Sequence, residues 1–86
     1  MNIVFLSGKL IGIQEYKKNV KIGQIEDEGN NYLVVWENKN IVNDEIVGKN
    51  ISVLANVIVL KVKNAKGKVT FVNGYKVKEM EIINDI

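Results

Sequence analysis

The chain has 86 residues, of which 47% are apolar, and its twelve basic residues against ten acidic ones give a net charge of +2. All the basic residues are lysine, and histidine and cysteine are absent. Without imidazole or thiol groups, the common zinc sites and most hydrolase mechanisms are excluded, so we expect a protein that is not an enzyme and holds no metal or other cofactor.

The length fits one domain that covers residues 1–86, and the excess of Ile and Val over Ala favours strands over helices. No apolar run approaches the roughly 18 residues that span a bilayer. The first residues also lack the pattern of a signal peptide. We therefore expect a cytoplasmic protein.

Residues 2–13 have the alternating pattern of a first strand, and Gly8 interrupts it at an expected bulge or bend. A polar loop over residues 14–19 follows. Residues 20–25 form a short second strand in which apolar and polar side chains alternate. The next segment, residues 26–31, is rich in Asn, Gly and acids and predicts a turn, so the second and third strands form a hairpin.

The third strand, YLVVWEN at residues 32–38, is apolar on both faces. Its side chains alternate, with Leu33 and Val35 on one face and Tyr32, Val34 and Trp36 on the other. One face can pack the core of the domain. The other face, which carries two large aromatic side chains, needs a second explanation.

The rest of the chain predicts one short helix and two long strands. A helix of one or two turns fits within residues 38–50, and the run at 51–63 is longer than a typical strand, so we expect it to curve or change role along its length. A Gly-centred loop at 64–68 leads to a last strand, 69–83, broken near Asn73 and Gly74. Five strands with a helix between the third and fourth predict an OB-fold, a Greek-key barrel, and a small SH3-like barrel is the alternative.

Four stretches, in chain order, resemble the family of bacterial single-stranded DNA-binding proteins. They are NIVFLSGKLIG from Asn2, LVVWEN from Leu33, IVGKNISVLANV from Ile46, and KGKVTFVNGYKVKEMEII from Lys66. Three features depart from the family pattern: Ala55 and Asn56 replace its usual glycine, the predicted second strand is much shorter, and the family's acidic tail is missing after the last strand. The resemblance therefore implies the OB-fold domain without the tail that recruits partners, as in the primosomal replication protein N.

The resemblance also implies which aromatic side chains bind DNA. The family places the aromatic residue matched by Trp36 on the outer face of the third strand, which would put Tyr32 beside it and leave Leu33 and Val35 in the core. Phe71 matches the aromatic residue of the last strand. Bases of a single strand stack on such side chains without regard to sequence. For Trp36 the alternative is that the indole fills one end of the barrel.

A cluster of lysines supplies the second requirement of single-strand binding, cations that contact phosphates. The candidates surround the predicted 64–68 loop, namely Lys61, Lys63, Lys66 and Lys68, and Lys9 is a weaker candidate. Residues 61–78 contain six lysines and no acidic residue. The alternative is a solvated hairpin whose lysines prevent aggregation at a sheet edge.

These observations favour a non-catalytic, sequence-tolerant protein that binds single-stranded DNA, with RNA as an open alternative, in replication or recombination of a chromosome, phage or plasmid. Lysine-only binding is expected to be sequence-tolerant because bidentate base recognition favours arginine. The competing hypothesis is an OB or SH3-like module whose outer face binds another protein. Under both hypotheses we expect a homo-oligomer, because two apolar faces on one strand would otherwise leave an exposed patch. The family resemblance implies that this oligomer is a dimer or tetramer.

Overall fold

The computed structural model describes residues 2–37 and 42–83, which form five β-strands and one 3₁₀ turn. The elements are β1 (Ile3–Lys17), β2 (Val20–Asp27), β3 (Asn30–Glu37), the 3₁₀ turn (Asp44–Ile46), β4 (Asn50–Lys63) and β5 (Val69–Ile83). The strands close a barrel in the order β1-β2-β3-β5-β4, in which the β3–β5 pair is parallel and the other pairs are antiparallel. The predicted OB-fold is confirmed. Within the described ranges, no helix is long and apolar enough to cross a membrane.

β1 belongs to both halves of the barrel because it changes partner along its length. Residues 3–9 pair with β4, and residues 9–17 pair with β2. At the change of partner, a Cβ atom on Gly8 would collide with the carbonyl oxygen of Glu26 and lie 2.8 Å from Cγ2 of Ile25. Only glycine allows the two backbones to approach this closely.

The bulge and the end of β1 differ from the sequence-based expectation. β1 has two irregularities, at Ile11 and at Tyr16, each an extra residue between two register pairs, and none at Gly8. The expected loop over residues 14–19 is mostly strand, since β1 continues to Lys17 and reaches β2 through a tight turn. Asn19 makes this turn possible by adopting a φ of 60°, a left-handed conformation that Asn tolerates better than most residues.

The predicted hairpin between β2 and β3 is confirmed, with a shorter turn than expected. The strands pair as far as Asp27 and Asn30, so only Glu28 and Gly29 form the turn. Both have positive φ, 51° and 84° respectively. Two-residue turns of this kind match the right-handed twist of the strands they join.

β4 changes role halfway, as its length predicted. Residues 50–56 pair with both β1 and β5, whereas residues 57–63 pair with β5 alone. Together with residues 69–75 of β5 and the loop that joins the strands, residues 57–63 form a two-stranded projection, which we call the arm. The arm is continuous with the barrel sheet but extends beyond it.

β5 is not broken at Gly74, contrary to the expectation from sequence. Gly74 keeps its place in the ladder opposite Ile58. A Cβ atom there would lie 2.8 Å from Cγ of Leu60, so this glycine provides space for a neighbouring side chain and does not end the strand.

The apolar side chains form two separate clusters. The interior of the barrel is filled by Leu10, Ile25, Val34, Trp36, Val42, Ile51, Val53, Ala55 and Val77. A second cluster lies outside the barrel, where Leu60 of the arm packs on Ile22 of β2 and Val35 of β3. Each such aliphatic side chain contributes about 1.5–3 kcal/mol when fully buried, so the second cluster holds the arm against the β2–β3 surface.

The two clusters explain why both faces of β3 are apolar, and they reverse the predicted assignment of the faces. Val34 and Trp36 point into the barrel, whereas Leu33 and Val35 lie on the outer face under the arm. The expectation that the Trp36 face is outside is therefore wrong. β3 lies between the barrel core and the arm, and apolar side chains pack on both of its faces.

The segment before β4 packs against one end of the barrel. Val42 is buried in the core, and its carbonyl oxygen accepts a 2.8 Å hydrogen bond from Nζ of Lys21. The helix expected within residues 38–50 is the 3₁₀ turn, at whose start the side chain of Asn43 accepts a hydrogen bond from the backbone N–H of Glu45. Residues 38–41 lie outside the described residues.

Candidate functional site

One face of the arm combines exposed apolar and basic side chains. Phe71 is 67% exposed and lies directly opposite Lys61 in the β4–β5 register, and Val59 on the same face is 68% exposed. Directly opposite residues in an antiparallel pair have Cβ atoms about 4.5–5.5 Å apart. The Lys61 side chain therefore starts beside an exposed aromatic residue, and Lys63 is at the diagonal position.

The loop at the tip of the arm extends this basic surface. It contributes two of the four lysines that we call the arm lysines: Lys61, Lys63, Lys66 and Lys68. All four are exposed, and the alternation of β4 places the first two on one strand face, as the sequence predicted. Phe71 and the arm lysines are thus brought together on one projection.

Asn64 orders the loop that carries Lys66 and Lys68. Its side-chain oxygen accepts 2.9 Å hydrogen bonds from the backbone N–H groups of both lysines. Gly67 adopts a φ of 81°, and its N–H donates to the carbonyl oxygen of Asn64. This network fixes the loop backbone, so the two ammonium groups extend from a defined support.

The arm lysines form no ion pair with any acidic side chain in the described parts of the chain. Lys76, by contrast, lies 2.6 Å from the carboxylate of Glu37. Lys9 is exposed but lies on β1, opposite Asn50 of β4, and is not part of the arm. The arm lysines therefore form a cluster of positive charge that no acidic side chain among the described residues neutralises.

The arm is anchored at its middle as well as at its base. The hydroxyl of Tyr16, at the end of β1, donates a 2.8 Å hydrogen bond to the carbonyl oxygen of Lys61. The β1–β2 turn and the arm are the two projections that flank the ligand surface in an OB-fold. In this protein they touch, and the second cluster fills part of the surface between them.

A groove remains open beside the second cluster, made of two adjacent clefts. One cleft of about 250 Å³ has Gly12, Gln14 and Ile22 in its lining. The other, of about 500 Å³, has Asn31 and Asn73 in its lining. Both clefts are bordered by Gln24 and Leu33, so they are adjacent. We call this feature the amide groove, after its four exposed amide side chains, Gln14, Gln24, Asn31 and Asn73.

Tyr32, a predicted stacking residue, lies at the edge of the barrel and lines the amide groove. Its ring makes an edge-to-face contact with Tyr75, with the ring centroids 5.9 Å apart. Both side chains are half-buried. The pair therefore forms part of a rigid groove wall and offers less ring surface to a ligand than Phe71 does.

Trp36, the other predicted stacking residue on β3, is 1% exposed, so its indole cannot stack on a base in this structure. The ring packs over Gly23, where a Cβ atom would lie 2.8 Å from Cζ3. Its Nε1 atom has no hydrogen-bond partner among the described residues. The binding role assigned to Trp36 from the family resemblance is not supported by its position.

Sequence reasoning missed the amide groove. Its polar side chains come from β1, β2, β3 and β5, and they are brought together only by the register of the strands. A lone Gln or Asn in a strand carries no signal of function. No group of three or more acidic side chains in the described ranges is placed to hold a metal ion.

No protein-family model matches the sequence, and no curated protein matches it either. The structure is similar to the crystal structure of Rim1, a mitochondrial single-stranded DNA-binding protein from S. cerevisiae, with a TM-score of 0.66 and 13% sequence identity. The match covers 98% of this chain and 95% of that chain. At this identity the similarity shows the fold, and membership in the bacterial family or similarity to the primosomal replication protein N is not supported.

Proposed function

We propose that this protein binds single-stranded DNA through the exposed face of the arm, with a role in DNA replication or recombination in the cytoplasm. The observation that carries the proposal is the position of Phe71, two-thirds exposed and directly opposite Lys61. Single-strand binding combines aromatic rings on which bases stack with cations that contact the phosphates. The arm supplies both, and the fold is shared with Rim1, whose published description is a single-stranded DNA-binding protein.

Fluorescence anisotropy of labelled oligo(dT), measured at low and moderate salt with a duplex control, tests this function. We expect binding that favours the single strand and weakens as salt is added, because contacts to phosphates release counterions. An oligo(U) titration ranks RNA against DNA. Failure to bind oligo(dT) at low salt would reject the proposed function.

Replacing Phe71 with alanine is expected to weaken oligo(dT) binding by about 1–3 kcal/mol, or about 5- to 150-fold, through the loss of a stacked base. The matched control is Val59→Ala, because Val59 is equally exposed on the same face but has no ring. Thermal unfolding should be unchanged in both variants, since neither side chain is buried. Equal losses of affinity in the two variants would argue against stacking.

We also propose that copies of this chain contact each other through a surface of the barrel that is separate from the arm. Phe5 is 66% exposed on the outer surface of the barrel, next to Leu54 of β4, and Ile3 on the same strand is 46% exposed. Glu79 and Glu81 border the shallow cleft beside Phe5. Acidic side chains repel phosphates, so this apolar surface suits a protein contact better than a nucleic-acid contact.

We expect analytical ultracentrifugation to show at least a dimer for the natural sequence and a monomer for Phe5→Asp, because the substitution places a charge in the proposed apolar contact. Phe71→Asp is the matched control, since Phe71 and Phe5 are almost equally exposed. The control should keep the natural mass. A natural chain that is monomeric at high micromolar concentration would contradict the assembly proposal and leave DNA binding to be judged separately.

A further inference from the structure

The amide groove differs chemically from the basic face of the arm. Its wall includes the aliphatic side chains of Ile22 and Leu33 and the ring of Tyr32, and its polar groups are the four amides. None of these four amide groups has a hydrogen-bond partner among the residues described. Neutral amides do not attract phosphates as ammonium groups do, so the groove suits a different part of a nucleotide.

Side-chain amides complement the edges of unpaired bases. Each amide presents a donor and an acceptor side by side, and rotation by half a turn reverses their order. The Watson–Crick edge of every base also combines donors with acceptors, and single-stranded nucleic acids are recognised through these edges. In a duplex the same atoms are already paired with the opposite strand. A groove lined by amides can thus distinguish an unpaired base from a paired one without selecting a particular base.

The groove is adjacent to the proposed stacking residue. Asn73 lines the groove and lies two positions after Phe71 on β5, so the two side chains are on the same strand face. Two such positions are about 7 Å apart along a strand. The opposite face of the arm, which carries Leu60 and Val72, packs on β2 and β3. A strand whose base stacks on Phe71 therefore reaches the groove by passing around the edge of the arm at Asn73.

We propose that the amide groove receives unpaired bases by their Watson–Crick edges and is the element that makes this protein prefer single strands to duplexes. The inference rests on the proposed function and divides it between two surfaces. The arm lysines bind phosphates, which single strands and duplexes both carry, and so supply affinity. The groove accepts only unpaired bases and so supplies selectivity.

Gly12 allows a direct test, because the space beside it is open. A Cβ atom at Gly12 would meet no other atom within 4 Å, and the residue lines the groove. Gly12→Val should therefore fold and place its side chain in the groove. A second variant, Gln14→Leu with Gln24→Leu, keeps the approximate size of both side chains and removes their hydrogen-bonding groups.

The measurement is the ratio of the dissociation constant for a duplex to that for a single strand, taken by anisotropy with oligo(dT), oligo(dA) and a matched duplex. We expect each groove variant to lower this ratio about tenfold or more by weakening single-strand binding, with duplex binding unchanged. Lys63→Gln should weaken single-strand binding and duplex binding alike, and so leave the ratio near the value of the natural protein.

The outcomes separate the inference from the function on which it rests. If the natural protein binds single strands selectively and both folded groove variants keep that ratio, the groove inference is wrong and the proposed function stands. If the natural protein does not bind oligo(dT), the function itself fails. If circular dichroism shows that Gly12→Val does not fold, the variant with Gln14→Leu and Gln24→Leu decides whether the groove supplies selectivity. A loss confined to one homopolymer would also overturn the inference, since the amides would then read a particular base.

Discussion

Replacing the four arm lysines with glutamine is expected to lower the affinity for oligo(dT) by up to about two to three orders of magnitude at 0.1 M salt. Each phosphate contact to a single strand adds about 0.7 to the slope of log affinity against log salt. Loss of four contacts should therefore flatten that slope by nearly three. The effect on stability should be small, because all four side chains are exposed and none forms an ion pair with a described residue.

A comparison of two double variants shows whether the salt dependence of oligo(dT) binding follows the position of the lysines or the total charge of the chain. Lys66→Gln with Lys68→Gln removes two charges from the arm loop, and Lys9→Gln with Lys49→Gln removes two exposed charges from the rest of the chain. We expect the first pair to lower the salt slope by about 1.4 and the second to change it much less. Equal slopes for the two pairs would mean that binding follows net charge and that the arm is not the phosphate-binding surface.

Trp36→Ala is expected to destabilise the protein by about 3–5 kcal/mol, the usual range when a buried tryptophan or phenylalanine is truncated in a core. The indole is 1% exposed and packs within the barrel cluster. A domain of this size has a total stability of about 4–13 kcal/mol, so the loss is a large fraction of it and should lower the urea midpoint markedly. Urea titration followed by circular dichroism measures the loss.

Three further measurements distinguish a core tryptophan from a binding tryptophan. Trp36→Phe retains an aromatic ring and should lose much less stability than the alanine variant. Phe71→Ala, an exposed aromatic truncation, should not change the urea midpoint. In the natural protein, oligo(dT) should leave the Trp36 emission nearly unchanged. Strong quenching by oligo(dT), together with a mild effect of Trp36→Ala on stability, would place the indole at the DNA.

Local patterns predicted most of the strands. Alternation of apolar and polar residues identified some strands and runs rich in β-branched residues identified others, because both patterns are properties of a strand alone. The Gly and Asn residues between β2 and β3 predicted the hairpin, because a turn signal is also a local property of the sequence. The element order then pointed to the OB-fold, which the barrel confirms. The predicted ends were less accurate: β1 continues to Lys17 because pairing with β2 stabilises a segment that is too polar to read as a strand.

The sequence alone therefore determined the class of fold, the lysine-rich hairpin and the exclusion of histidine and cysteine chemistry, since these depend on composition and local periodicity. It could not decide which face of β3 is inside, because both faces are apolar and alternation divides side chains into two sets without saying which is covered. Only the tertiary structure showed that Trp36 fills the barrel while Val35 lies under the arm. The amide groove also depends on the tertiary structure, because it exists only where the register of four strands brings isolated amides to one surface.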